Sequence, residues 1–206
     1  MRVWFLVDSD RFFNERSTTP FLEGLIFVFF NGAMTFMTAL TTLYFIIQHI
    51  PESSTAFITD TGIQLLSYMF LSSFLKWIGI SVVFFVVVFL YGEKRLDGFE
   101  VLNITGLGFL PLVLASTAEF LLTALLFVRV DTVPIDNLAH VVLSGGFGIL
   151  AALFISILHL VGIAWAVHIW KGGLMHMGKL SRGKTQIVTV GVAVIFIIEF
   201  LVFVVI

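Results

Sequence analysis

Four ionisable side chains stand inside runs that are otherwise apolar: Lys76 in SSFLKWIGIS, Glu119 in LASTAEFLLT, His159 in ISILHLVGI and Glu199 in VIFIIEFLV. An ammonium, two carboxylates and an imidazole can pair, share protons or line a path for ions or lipid headgroups. In hydrocarbon each charge costs ~2.5–3.5 kcal/mol on insertion scales, so such groups face a protein interior and a partner. Two readings of the four residues stand side by side. One is a neutralised ion pair that fixes how helices pack; the other is a charged site in a water-filled cavity.

Other chemistry finds little support. His159 and His168 are nine residues apart, which puts them on opposite faces of one helix. His168 and His176 are separated by Gly172 and Gly173, which are expected to interrupt the helix. No HExxH, GxSxG or phosphate-loop lysine motif occurs, and SGGFG at 144–148 has no strand before it. The expectation is therefore a non-enzymatic chain without metal or cofactor. The absence of Cys removes disulfides and thiolate metal sites.

The elements that must hold these residues are membrane helices. Of 206 residues 59% are hydrophobic and only 12% charged, well beyond the roughly 45–50% apolar content of soluble domains. The apolar runs are ~20 residues long and continuous rather than alternating, which selects helices over a barrel. The expected fold is an all-α bundle of five transmembrane helices at about 21–48, 66–91, 104–128, 146–171 and 186–206, preceded by a leader over 1–20. Pro20, Pro51, Gly92, Pro134 and the Gly172, Gly173 pair mark its junctions. The opening segment is too short for the apolar core of a secretory signal. Its Trp4, Phe5, Phe12 and Phe13, interleaved with charges, suit either an interfacial segment or a disordered leader.

Net charge is −2, but its distribution is informative. Nine Lys and Arg fall on the leader and the second and fourth loops, and one on the alternate segments. The positive-inside rule then places the N-terminus in the cytoplasm and Ile206 at the outer face. In that orientation Lys76 and Glu119 both lie ~14 Å from the outer face, so Glu119 is the expected partner of Lys76. Glu199, ~10 Å deep, is a second candidate, and His159 lies nearer the middle. Asn31 and Gln64 add hydrogen-bonding capacity.

Three further features concern packing and partners. GLGFLP carries Gly106, Gly108, Phe109 and Pro111, which permit a kink and leave carbonyls in need of donors. Ser144, Gly148, Ala152 and Ser156, continued by Gly162 and Ala166, form a stripe of small residues that lets another helix approach. The last cytoplasmic loop holds Lys171, Lys179, Arg182 and Lys184 and no acid. Such a loop attracts anionic headgroups at ~1 kcal/mol per cation, serves as a topology signal, or meets an acidic protein face. The expected partners are membrane lipids, further copies of the chain and a cytosolic protein, not nucleic acid.

With five spans and a cytoplasmic N-terminus, three stretches resemble the Yip family of Ypt/Rab-GTPase-interacting membrane proteins, closest to its compact prokaryotic branch. The Phe12, Phe13 pair resembles the family's aromatic leader, and Gly108, Phe109 and Pro111 its Gly-aromatic-Pro signature in the third span. Gly173, Leu180, Ser181, Arg182 and Gly183 resemble the segment joining the last two spans. The resemblance implies a non-enzymatic protein of a prokaryotic cell membrane that organises membrane or recruits partners through oligomers. The chain departs from eukaryotic members in lacking a long cytosolic N-terminal domain and in the close spacing of Phe109 and Pro111. Those departures put binding of a small GTPase in doubt.

Overall fold

The computed structural model describes residues 8–15, 21–49, 52–130 and 147–205. The described residues are helical apart from short turns, with no strand among them. The helices are α1 (Ser9–Asn14), α2 (Phe21–His49), α3 (Glu52–Tyr91), α4 (Gly98–Leu107), α5 (Leu110–Val130), α6 (Phe147–His176) and α7 (Arg182–Val205). Among the described residues four stretches are long and apolar enough to cross a membrane: Phe21–Gln48, Ile58–Tyr91, Gly98–Phe127 and Ile149–His176. This is the character of a multi-pass integral membrane protein. Large apolar side chains such as Leu75, Phe89, Leu121, Leu150 and Ile195 are exposed on its surface, as a hydrocarbon solvent would favour.

The helix α2 is the hub, packing against α3, α4 and α5; α5 and α4 pack on α6, and α6 carries both α7 and α1. One face of α3 explains its place. Ser73, Trp77, Ile80, Phe84 and Val88 recur every three or four residues and are all buried, the spacing of a single helical stripe. The best-packed layer lies towards the end of the bundle where α1 docks. Phe13, Phe84, Ile104, Leu107, Phe109, Ile169, Trp170 and Leu174 are each no more than 1% exposed there.

Local chemistry sets the start of two helices. Asp97 and Glu100 form a reciprocal capping box at the head of α4, with Asp97 Oδ1 accepting from the Glu100 amide at 2.7 Å and Glu100 Oε2 from the Asp97 amide at 3.1 Å. The amide of Gly24 is among the first four of α2 and has no partner in its own helix. Asn103 Oδ1 of α4 accepts it at 2.6 Å. Close approach makes this reach feasible, since a Cβ on Gly106 would stand 2.6 Å from the Gly24 Cα.

Several expected boundaries shift. The helix α3 begins at Glu52 rather than at 66. Its first turns carry Glu52, Ser53, Ser54 and Thr55, so hydropathy passes over them; further along, Gly62 packs tightly on Leu43 of α2. The third expected span is two helices, α4 and α5, broken at Gly108 and Phe109. The fourth does not stop at Gly172 and Gly173: α6 runs through both to His176. A Cβ on Gly172 would lie 2.6 Å from Ser9 Oγ, and one on Gly173 would run into Ile104. The glycines cost about 1 kcal/mol each in helix propensity, and in return they admit α1. Within the expected leader, residues 8–15 hold this docked helix, with Phe12 and Phe13 6% and 1% exposed. Trp4, Phe5, Pro20, Pro51, Pro134 and Ser144 lie outside the described residues.

Candidate functional site: two charged pairs and a tryptophan-braced break

The buried stripe of α3 leaves Lys76 on a flank, facing α7. Its Nζ lies 2.6 Å from Glu199 Oε1, with the two side chains 35% and 48% exposed. The ammonium also stands 6.0 Å from the centre of the Phe196 ring, one turn back on α7, within cation–π range. The expected pairing of Lys76 with Glu119 is thus replaced by pairing with Glu199. Similar depth brings groups to one layer, but the direction each takes around its helix axis selects the neighbour.

Glu119 turns instead to α6, where its Oε2 lies 3.6 Å from His159 Nε2. His159 Nδ1 lies 3.1 Å from the carbonyl oxygen of Ile155. A carbonyl can only accept, so the proton of that contact sits on Nδ1 and leaves Nε2 towards the carboxyl. One proton can then reside on Glu119 or on His159 Nε2, giving a neutral pair or an ion pair. The four residues singled out in the sequence therefore form two pairs on two different helix contacts, α3 with α7 and α5 with α6.

A third polar group joins three helices. Asn31 of α2 donates from Nδ2 to Ser73 Oγ of α3 at 3.0 Å and accepts at Oδ1 from Ser116 Oγ of α5 at 3.2 Å. All three residues are buried. Gln64 is exposed.

At GLGFLP the chain breaks between α4 and α5. The amides of Gly108 and Phe109 donate to Thr105 O at 3.2 Å and Gly106 O at 2.9 Å, a tight turn between α4 and α5. The Trp170 indole of α6 also donates to Thr105 O, at 2.9 Å, and Trp77 Nε1 of α3 donates to Leu102 O at 2.7 Å. A Cβ on Gly108 would collide with the Trp170 indole. Phe109 is fully buried, and the carbonyl of Pro111 lies 3.3 Å from where a Gly162 Cβ would stand.

No family model, curated protein or solved structure matches this chain. Its reading therefore rests on its own residues.

At the end where α1 docks, three charged segments meet. A Cβ on Gly92 would lie 2.7 Å from the carbonyl oxygen of Gly178, which brings the turn after α3 against the turn after α6. Lys179, Arg182 and Lys184 are exposed and Lys171 is half-buried. Lys184 Nζ sits 4.8 Å over the Tyr91 ring and the Arg95 guanidinium 5.6 Å over Phe89. Lys179 holds a left-handed backbone, φ 52°, in the turn that reverses the chain. On α1, Ser9 Oγ donates to His168 O at 3.1 Å, and His176 Nε2 lies 3.2 Å from Asp10 Oδ1. Arg11 pairs with Glu15 at 2.8 Å, which raises the guanidinium above its already high range. Among the described residues no three His, Asp or Glu converge as a metal would require.

Sequence reasoning underweighted two tryptophans and Asn103. The asparagine, polar within an apolar run, carries a readable signal. Trp77 and Trp170 carry none, because an indole in a membrane helix gives no sign of which carbonyl it reaches.

Proposed function

We infer that the chain is a non-enzymatic, five-crossing scaffold of the Yip type. Its α1 end lies in the cytoplasm and offers Lys171, Lys179, Arg182 and Lys184 to anionic headgroups or an acidic protein partner. One observation carries this reading. The layer of Phe13, Phe84, Ile104, Leu107, Phe109 and Trp170 fills the bundle between that end and the two charged pairs. Of the polar side chains buried with it, Thr105 and Thr189 donate to carbonyls of their own helices and Thr185 to that of Ser181, while Asn103 caps α2 through Oδ1 and leaves its Nδ2 without a partner among the described residues. A polar path from the charged pairs to this end would have to cross a layer packed as densely as a protein interior.

A fifth crossing by α7 fits its 24 residues and its course, from Lys184 beside Tyr91 to Glu199 beside Lys76. Those contacts carry it antiparallel along α3. The concentration of Lys and Arg on α1, the turn after α3 and the turn after α6 supports a cytoplasmic location for that end. The resemblance of Phe12 and Phe13, of Gly108, Phe109 and Pro111, and of the segment around Arg182 adds the Yip character and a prokaryotic cell membrane.

The rival is a channel or transporter for protons, ions or lipid headgroups through Lys76, Glu119, Glu199 and His159. The proton-sharing geometry of Glu119 and His159 favours it. Purified protein in liposomes decides between them. The scaffold reading expects no proton or ion flux above that of empty vesicles, and binding to anionic vesicles that weakens when Lys179, Arg182 and Lys184 become Gln. Flux that disappears in Glu119→Gln or Lys76→Met would overturn it in favour of transport.

A further inference from the structure

We propose that the α3–α7 face is a homodimer interface in which Lys76 and Glu199 of one copy pair reciprocally with Glu199 and Lys76 of a second copy. The inference rests on the reading above that α7 crosses the membrane beside α3.

The pair itself supplies the first argument. Lys76 lies 15 residues from the end of α3 and Glu199 17 residues from the start of α7, which puts both roughly 22–26 Å from the α1 end, well inside the apolar spans. Yet the side chains remain 35% and 48% exposed after pairing with each other. An ammonium has three donors and a carboxylate about four acceptor positions, and their contact uses one of each. Acyl chains satisfy none of the remainder. Among the described residues, the outward neighbours Leu75, Ile78, Ile195 and Ile198 are apolar and all at least half exposed.

Symmetry supplies the partner. A two-fold axis along the membrane normal keeps every residue of the second copy at the same depth as in the first. It therefore brings one lysine and one glutamate from each copy to a single level, where the four charges alternate in sign. A patch of one sign would repel its own copy; a side-by-side cation and anion is complementary to itself.

The backbone leaves room for such an approach. A Cβ placed on Gly79, one turn from Lys76, or on Gly191, two turns from Glu199 through Ile195, would meet nothing within 4 Å. Gly98 and Gly183, at the starts of α4 and α7, are open as well, whereas glycines inside the packed bundle are met by a neighbour, as Gly24 is by Asn103 and Gly172 by Ser9. Gly79 and Gly191 flank the charged pair, and small residues at a helix surface let a second backbone come close in lipid.

Charge exchange tests the proposal. Lys76→Glu leaves two acids at the site and Glu199→Lys leaves two bases, so each variant alone should lose the dimer. Two differently tagged copies, one of each variant, co-expressed in one membrane and examined by native mass spectrometry from nanodiscs, should form a heterodimer at near wild-type yield. A pair confined to one chain cannot be restored by mixing, so two persistently monomeric variants would overturn the proposal. A monomeric wild type would do so as well, whether bare or carrying a lipid adduct that disappears in Glu199→Lys. Gly79→Leu and Gly191→Leu should lower the dimer fraction at least tenfold without lowering the thermal midpoint of the monomer. Protease access to a C-terminal tag in sealed vesicles reports the crossing of α7 independently, so failure of that premise is distinguishable from failure to dimerise.

Discussion

Trp170 donates its indole N–H to the carbonyl of Thr105 at 2.9 Å, across the face of Gly108. One side chain from α6 thereby braces the break between α4 and α5, and it can do so only because the residue in front of it has no Cβ. Phe84 and Phe196 complete its surroundings, with ring centroids 5.8 and 6.0 Å away.

Substitution at this brace is therefore expected to be costly and non-additive. Gly108→Ala should destabilise by ~1–3 kcal/mol through overpacking. Trp170→Phe should lose about 1 kcal/mol for the hydrogen bond in addition to a packing term. In a Trp170→Leu background the alanine should cost much less, because the atoms it displaces are gone. Unfolding midpoints of the four proteins in one detergent measure the cycle, and equal costs of Gly108→Ala in both backgrounds would refute the contact.

The docking of α1 makes a second prediction, read by chemistry at one position. The chain has no Cys, so Ser9→Cys introduces a single thiol at a site that is fully buried. It should react slowly with a maleimide. Adding Gly172→Val, whose Cβ would press on Ser9 from 2.6 Å, should expel α1 and raise the rate at least tenfold. Matching rates in the two proteins would show that α1 does not lie against Gly172.

The geometry of His159 fixes a tautomer that can be observed directly. With Nδ1 bonded to the carbonyl of Ile155 at 3.1 Å, the ring should carry a proton on Nδ1 in every protonation state. Its Nε2 resonance should respond to Glu119→Gln. Nitrogen NMR of labelled protein in bilayers reads both sites. A ring protonated on Nε2 alone would rule the arrangement out.

Much of this molecule was legible in order of residues. The long apolar runs impose helices because a bilayer admits only helices and closed barrels and a barrel strand would alternate, and α2 matches its expected span almost residue for residue. GLGFLP announced a break because Pro111 removes a donor and the glycines relax the chain. Counting along the expected spans put Lys76 and Glu119 at one depth, with Glu199 a shallower second candidate.

Only the tertiary structure decided which of these groups meet. Lys76 faces Glu199 and Glu119 faces His159 because the azimuth of each side chain depends on how the helices pack, which hydropathy does not encode. The same holds for Gly172 and Gly173. In sequence they read as helix breakers, since propensity is a local quantity. In the folded chain they are the floor of the groove that receives Ser9 and Phe13, and a contact across more than 150 residues is invisible to any local rule. Sequence alone determined that the chain is helical and suited to a membrane. The packing of glycines against an indole, a serine and a neighbouring backbone determined how those helices close on one another.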